Sequence, residues 1–410
     1  MKQGWEIKKL SEIGKVYNGN SINEKVKKDN YADLDEGFPF IATKDISYES
    51  VIDYDNGIKI PFSEKTSFKT APKNTVLICA EGGSAGRKIG FTNQEVCFGN
   101  KLFAITTNNN IESRYVYYYY FSSTFQKHFA VELAGIIGGV SMNKFKDLEI
   151  PVPSLTEQQR IVSILDEAFA AIAKAKANAE QNLKNAKELF ESYLQGVFEN
   201  GNWEKKPLKE LTLKIGSGAT PRGGQENYKS EGISLVRSMN VHDWEFRERN
   251  LAFIDEKQAK ELDGVTLQEY DVLLNITGAS VARCCVFPKE YLPARVNQHV
   301  SIIRPKKDIL DARFLNLLLT SKPYKDQLLF TGEQGATRQA ITKAQIETFQ
   351  VAFPSLKEQN EIVKKLDNII LETNKLETIY QQKINDLEEL KKSVLQKAFA
   401  GELKTEKELA

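Results

Sequence analysis

The side chains best equipped for chemistry in this sequence are cationic and amide residues set on turns. They are Arg87 and Lys88, Asn100 and Lys101, Arg222 after Thr220-Pro221, Arg283, Gln298 and His299 after Asn297, and Arg338 and Gln339 after Thr337. Arginine, asparagine and glutamine pair bidentately with guanine or adenine edges, and lysine neutralises phosphate. The chemistry on offer is recognition of duplex DNA rather than the making of bonds. Taken singly, each residue is also what a solvated surface or turn-stabilising group looks like. Arg283, after a strand and a small-residue turn, is the foremost DNA-contact candidate of the second half, with an ion pair to a framework carboxylate as its alternative.

The sequence motifs of covalent chemistry are missing. There is no Asn/Asp-Pro-Pro-Tyr/Phe pattern of an amino-methyltransferase, no phosphate loop of the Gly-x-x-x-x-Gly-Lys-Ser/Thr type, no His-Glu-x-x-His and no Gly-x-Ser-x-Gly. The four cysteines lack Cys-x-x-Cys spacing and the three histidines are scattered, so no metal site is expected. Cys79 and Cys284-Cys285 lie in apolar runs, where buried reduced thiols are expected. Gly82-Gly83-Ser84-Ala85-Gly86 has the composition of a phosphate cradle. Its counterpart Gly278-Ala279-Ser280-Val281-Ala282 keeps one of the three glycines, which favours a tight turn presenting Arg87 or Arg283.

What must position these residues is a duplicated framework. Val152-Pro153-Ser154-Leu155-Thr156-Glu157-Gln158-Gln159-Arg160-Ile161-Val162 returns roughly 200 residues later as Phe353-Pro354-Ser355-Leu356-Lys357-Glu358-Gln359-Asn360-Glu361-Ile362-Val363. Trp5-Glu6 opens one half and Trp203-Glu204 the other. Val76-Leu77-Ile78-Cys79 matches Val272-Leu273-Leu274-Asn275, Arg87 aligns with Arg283, and Asn100-Lys101-Leu102 with Asn297-Gln298-His299. Two copies of one unit form a pseudo-two-fold object, suited to a two-part target such as duplex DNA.

Each half closes on a long helical pattern. Ile161, Leu165, Ala168, Ile172, Ala175, Ala179, Ala186, Leu189 and Tyr193 step by threes and fours, with Asn182 as a polar break. Ile362, Leu366, Ile369, Leu376, Tyr380, Leu387, Leu390 and Val394 repeat the pattern across Thr373 and Lys383. Each helix spans about 45 residues, roughly 65 to 70 Å at 1.5 Å per residue. Pro153 and Pro354 mark the starts, and Gly196 and Gly401 lie near the ends. Such a stripe needs a partner, and pairing the two helices as a rod between two heads supplies one. Arg114-Tyr115-Val116-Tyr117-Tyr118-Tyr119-Tyr120-Phe121 could stack bases. Its counterpart Arg313-Phe314-Leu315-Asn316-Leu317-Leu318-Leu319 is aliphatic, which favours core packing.

The composition, 41% hydrophobic and 27% charged over 410 residues, is that of a globular protein of two or three domains. A net charge of +1 argues against a polybasic coat, although residues 271–307 hold six Lys/Arg against two Asp/Glu. No apolar run has the length of a membrane span, and Met1-Lys2-Gln3-Gly4-Trp5 lacks a signal core, so a cytoplasmic location is expected.

Taken in order, Trp-x-x-x-x-Leu, a glycine turn, the runs 273–287 and 296–305, the 353–363 motif and a long helix ending at Leu403 resemble the specificity subunit of type I restriction-modification enzymes. The resemblance covers both halves; in the first, Cys79-Ala80-Glu81-Gly82-Gly83 replaces the more usual strand ending. It implies an α/β (α+β) fold with target-recognition domains at 1–152 and 201–353. These would alternate with helices at 153–200 and 354–410 that form an antiparallel coiled coil. It further implies a non-catalytic chain that reads a bipartite double-stranded DNA target. Two methyltransferase subunits and translocase-nuclease restriction subunits would be its partners, holding S-adenosylmethionine, ATP and Mg²⁺.

Glu157, Gln158, Gln159, Glu358 and Gln359, among the best-matched residues of the repeat, are expected on an exposed face that docks those partners. Rigid helices would set the half-sites about one turn apart, roughly 10 base pairs centre to centre. The rival readings are a stand-alone nuclease or methyltransferase with an unrecognised site, and a purely structural coiled-coil adaptor.

Overall fold

The computed structural model describes residues 3–31, 34–134, 138–199, 201–221, 224–333 and 340–403. The chain divides into two compact units, one formed by Met1–Ala179 with Gln382–Ala410 and the other by Glu180–Gln381. The division cuts both long helices, Leu155–Glu199 and Leu356–Ala400, so each unit holds one head and part of each helix.

In the first unit, Gly14–Asn18, Leu102–Thr107, Val76–Cys79 and Ile89–Phe91 form an antiparallel sheet in that order. A second sheet runs Lys59–Ile60, Phe38–Ile41, Val96–Phe98, Thr70–Ala71, its middle pair parallel. Val76–Cys79 is apolar throughout because both its faces are covered. Leu77 and Cys79 pack with Ile41, Phe98 and Leu102, while Val76 and Ile78 pack with Tyr115, Val116 and Tyr119. The tyrosine run therefore belongs to the core. Tyr115, Tyr119 and Tyr120 are buried, and the Tyr115 and Tyr119 hydroxyls donate to the Pro151 and Glu149 carbonyls at 2.7 and 2.9 Å.

The second unit repeats the plan. Thr212–Ser217, Val300–Pro305, Val272–Asn275 and Cys284–Val286 form one sheet, and Ala252–Ile254, Ile233–Val236 and Ala294–Val296 the other. Each head closes with a terminal strand pair, Glu6–Lys9 on Glu149–Val152 and Glu204–Pro207 on Gln350–Phe353. The chain then turns directly into a long helix. Ser154 and Ser355 cap the two starts, their hydroxyls accepting the N–H of Glu157 and Glu358 at 3.4 Å.

The helices pair antiparallel within each unit. In the first, Ile161 and Leu165 share a core with Leu395 and Ala398, Arg160 donates to the Leu403 carbonyl at 3.1 Å, and Lys176 pairs with Glu388. In the second, Phe190, Leu194 and Phe198 share a core with Leu366, and Lys365 lies 6.0 Å from the Tyr193 ring centre. Burial departs from the expected stripe in two places. Leu189 and Leu390 are about half exposed, while Phe190, Leu194, Phe198, Leu395 and Ala398 are buried. The face rotates because each helix also packs on a head, as where Phe198 meets Phe314 and Trp203. Thr373, expected as an interruption, is buried and donates to the Ile369 carbonyl at 2.9 Å, which satisfies its hydroxyl.

All four cysteines are free and buried. Among the described residues no helix is long and apolar enough to cross a membrane.

Candidate nucleic-acid interface

Three turns stand at matching places in the two frameworks, and the second and third carry the described candidate residues. The first follows Phe38–Ile41 in one head and Ile233–Val236 in the other. Buried Asp45 accepts the Ala42 N–H at 2.8 Å, and buried Asn240 accepts the Arg237 N–H at 3.1 Å, so one short 3-10 turn is closed by one kind of bond in both.

The second turn leaves Val76–Cys79 or Val272–Asn275. Gly86 N–H donates to the Cys79 carbonyl at 2.8 Å, and Ala282 N–H to the Asn275 carbonyl at 2.9 Å; both residues have positive φ, +71° and +65°. The strand then resumes at different residues. Cys79 N–H donates to Lys88 in the first head, and Asn275 N–H donates to Arg283 in the second. Lys88, not Arg87, thus holds the sheet position of Arg283, and Arg87 is an added residue in a longer turn.

The third turn precedes Leu102–Thr107 and Val300–Pro305. Cys79 pairs with Leu102 and Asn275 with Val300, so Lys101 is equivalent to His299 and Asn100 to Gln298. The equivalences expected from sequence are one residue out at both turns. The physical reason is the uneven length of the second turn and of the loop before the third, which only the ladder register reveals.

In the first unit the first and third turns border a cleft of about 640 Å³ lined by Asn20, Lys27, Lys28, Lys44, Asn100 and Lys101 among others. Asn100 and Lys101 are exposed, and Lys101 pairs with Glu81 at 3.0 Å. Lys88 donates to the Thr43 carbonyl at 3.0 Å, and exposed Arg87 lies 4.9 Å from the centre of the Tyr48 ring. Lys27, Lys28, Lys44 and Tyr48 went unnoticed in the sequence. Lys44 had a legible signal, a cation three residues past the strand end at Ile41.

In the second unit a hollow of about 410 Å³ is lined by Ser238, Met239, Thr277, Ser280, Arg283 and His299 among others. Arg283 is half-buried and forms no ion pair among the described residues, so the alternative of a framework salt bridge is not realised. His299 Nδ1 lies 2.6 Å from the Thr277 hydroxyl and its Nε2 lies 3.1 Å from the Gln298 amide nitrogen. The Gln298 carbonyl accepts from the Thr220 hydroxyl. Arg222, Arg338 and Gln339 lie outside the described residues. The basic excess over 271–307 is partly internal. Arg295 pairs with Asp263 at 2.8 Å, and Arg304 grips buried Asp271 with two bonds of 2.7 Å.

The expected docking face needs correction at its centre. Gln158 and Gln359 are 1% and 0% exposed and cannot meet a partner subunit. Gln158 accepts the Glu112 N–H and donates to the Pro153 carbonyl at 2.9 and 2.8 Å; Gln359 does the same to Asp311 and Pro354, at 2.8 Å each. A side chain with both amide functions satisfied by buried backbone belongs to the framework. Gln159 and Glu358 are exposed, Glu358 accepting the Trp203 indole N–H at 3.2 Å, while half-buried Glu157 grips Arg160 at 2.6 Å.

Cys97 and Cys285 are poor nucleophiles, since burial pushes their thiols up to about 11 and about 12.

Comparison with known proteins agrees with this architecture. The family described as type I restriction modification DNA specificity domain matches residues 2–184 and again 200–389. The EcoKI specificity subunit of Escherichia coli is 22% identical over 98% of this chain and 90% of its own length. The MjaIX specificity subunit of Methanocaldococcus jannaschii is 22% identical over 98% and 94%. In fold, a chain from a structural study of assembly and conformational transition in a type I R-M system superposes with a TM-score of 0.73, at 19% identity, covering 98% of this chain and 99% of that one. The HsdS subunit from Thermoanaerobacter tengcongensis does so with 0.65, at 20% identity, covering 98% of each. With both halves matched and the duplicated heads and helices in place, the chain belongs to the type I restriction-modification DNA specificity family.

Proposed function

We propose that this chain is the non-catalytic DNA-specificity subunit of a type I restriction-modification complex. It reads a bipartite target in double-stranded DNA and scaffolds two methyltransferase subunits and the restriction subunits. The observation that carries this reading is the pairing of one framework with two sets of turn residues. At the same ladder positions the first head presents Lys88, Asn100 and Lys101, and the second presents Arg283, Gln298 and His299. A common scaffold with differing polar groups is what two unlike half-sites require.

Methyl transfer and cleavage then belong to the partners, which would bind S-adenosylmethionine, ATP and Mg²⁺. The site of action is the cytoplasm, where the DNA is. Partner docking falls to exposed positions such as Gln159 and Glu358, with Glu157 at their border.

The test is reconstitution. The chain with its methyltransferase subunits should methylate duplex DNA at one two-part sequence, whereas the chain alone should neither bind S-adenosylmethionine nor modify or cut DNA. Catalysis by the chain alone would return the reading to a stand-alone enzyme.

A further inference from the structure

Trp244, the third tryptophan of the chain, sits at the tip of a hairpin formed by Val241–His242 and Glu245–Phe246 in the second unit. It has φ +65°, a conformation that a bulky side chain adopts only when its surroundings impose it. The two-residue turn between His242 and Glu245 sets that φ, and two sets of contacts hold the residue in place. On one side the ring meets Phe190 of the first long helix edge-on at 5.0 Å, and the indole N–H donates to buried Thr320 at 2.7 Å. On the other side the hairpin holds the residue after Arg283. Trp244 N–H donates to the Cys284 carbonyl at 3.0 Å, and Asp243 accepts the Cys284 N–H at 3.2 Å while also pairing with Lys325. Asn316 completes the grip on the Cys284 carbonyl at 3.1 Å. The corresponding hairpin of the first head, bridged at Ile46 and Ile52, puts Tyr48 over Arg87 and Lys88.

We propose that Trp244 is a positioning residue for DNA recognition by the second head. Though 40% exposed, it bridges the first long helix and the strand that begins beside Arg283, and so sets the angle at which that head presents Arg283. The proposal rests on the DNA-specificity reading above. A displacement of about 1 Å at a recognition side chain is enough to lose discrimination, and a ring packed on one side and tied to the Cys284 backbone on the other prevents it.

The experiment uses the full chain assembled with its methyltransferase subunits and compares methylation of the intact target with targets altered by one base pair in either half-site. Trp244→Ala should lower discrimination about ten-fold or more in the half-site read by residues 201–353, and leave the other half-site within about two-fold. Trp244→Phe, which keeps the edge contact with Phe190, should restore most of the loss. Should Trp244→Ala fail to fold, Lys325→Met, which frees Asp243 from its cation, should give the same half-site-selective loss. Equal loss in both half-sites, no loss in a folded variant, or no rescue by phenylalanine overturns the proposal. Failure of the underlying reading looks different: the unaltered complex would show no sequence-selective methylation at all.

Discussion

The backbone N–H of Glu112 donates to the side-chain carbonyl of Gln158 across 46 residues at 2.9 Å, and that of Asp311 donates to Gln359 across 48 residues at 2.8 Å. Each glutamine stands in the first turn of a long helix and ties it to the loop that opens the head's core helix. Next to each bond lies an ion pair of the same pattern, Arg114 with Asp166 and Arg313 with Asp367. The junction of head and helix is thus built twice with the same polar parts.

Gln158→Leu or Gln359→Leu should destabilise the chain by about 1–3 kcal/mol, because a buried backbone N–H and two carbonyls lose their partner. Gln159→Leu, on the exposed neighbour, should change stability by less than about 0.5 kcal/mol. Urea denaturation of the three variants checks the contrast, and equal effects would show that the glutamine clamp contributes little.

The duplication and the helix starts were legible because the Pro-Ser-Leu-x-Glu-Gln run recurs and both prolines precede an apolar stripe of helical period. The role of Gln158 was not. Beside Glu157 and Gln159 it reads as one more polar residue at a helix start, and nothing local shows that the loop at Asn110–Glu112 folds back over it. Sequence alone aligns Arg87 with Arg283, two arginines after similar turns, whereas the hydrogen bonds give Lys88 the place equivalent to Arg283. Strict heptad spacing selects Leu189 over Phe190 because it ignores the head against which the helix also packs. The basic excess over 271–307 overstates the charge open to DNA because Asp263 and Asp271, which neutralise Arg295 and Arg304, lie about 30 residues before them in sequence.

Arg283→Ala should cost about 1–3 kcal/mol in specific binding by the assembled complex and relax one base position, because a guanidinium with no internal ion pair can reach a base edge. Lys88→Ala should weaken all sequences alike and make the salt dependence shallower, as expected of a point charge near phosphate. Binding titrations across salt concentrations separate the two. Unchanged affinity with a lowered melting temperature would assign Arg283 to the framework.

Glu358→Lys should weaken assembly with the methyltransferase subunits while the isolated chain stays folded, since Glu358 is exposed at the start of its helix. Glu157→Lys should do the same with a further loss of stability, because it also breaks the grip on Arg160. Analytical ultracentrifugation of mixed subunits, with circular dichroism of the chain alone, reads both effects. Unimpaired assembly would move the docking surface elsewhere.

The thiols offer a test of core integrity. Folded chain at pH 8 should react slowly with a thiol reagent, because all four cysteines are buried and burial holds Cys97 and Cys285 protonated there; unfolded chain should release all four at once. Rapid labelling of the folded chain would contradict the packing of Cys97 and Cys285 between the strands.

The central claim is that two heads on one framework read two halves of one DNA target. Mapping methylated adenines made by the chain and its methyltransferase subunits, before and after exchange of residues 1–152 for the head of a relative, tests it most directly. A two-part motif with an unread spacer of fixed length is expected, carrying one modified adenine in each half on opposite strands, and the exchange should rewrite one half only. A single continuous motif, or an exchange that alters both halves, would contradict the account.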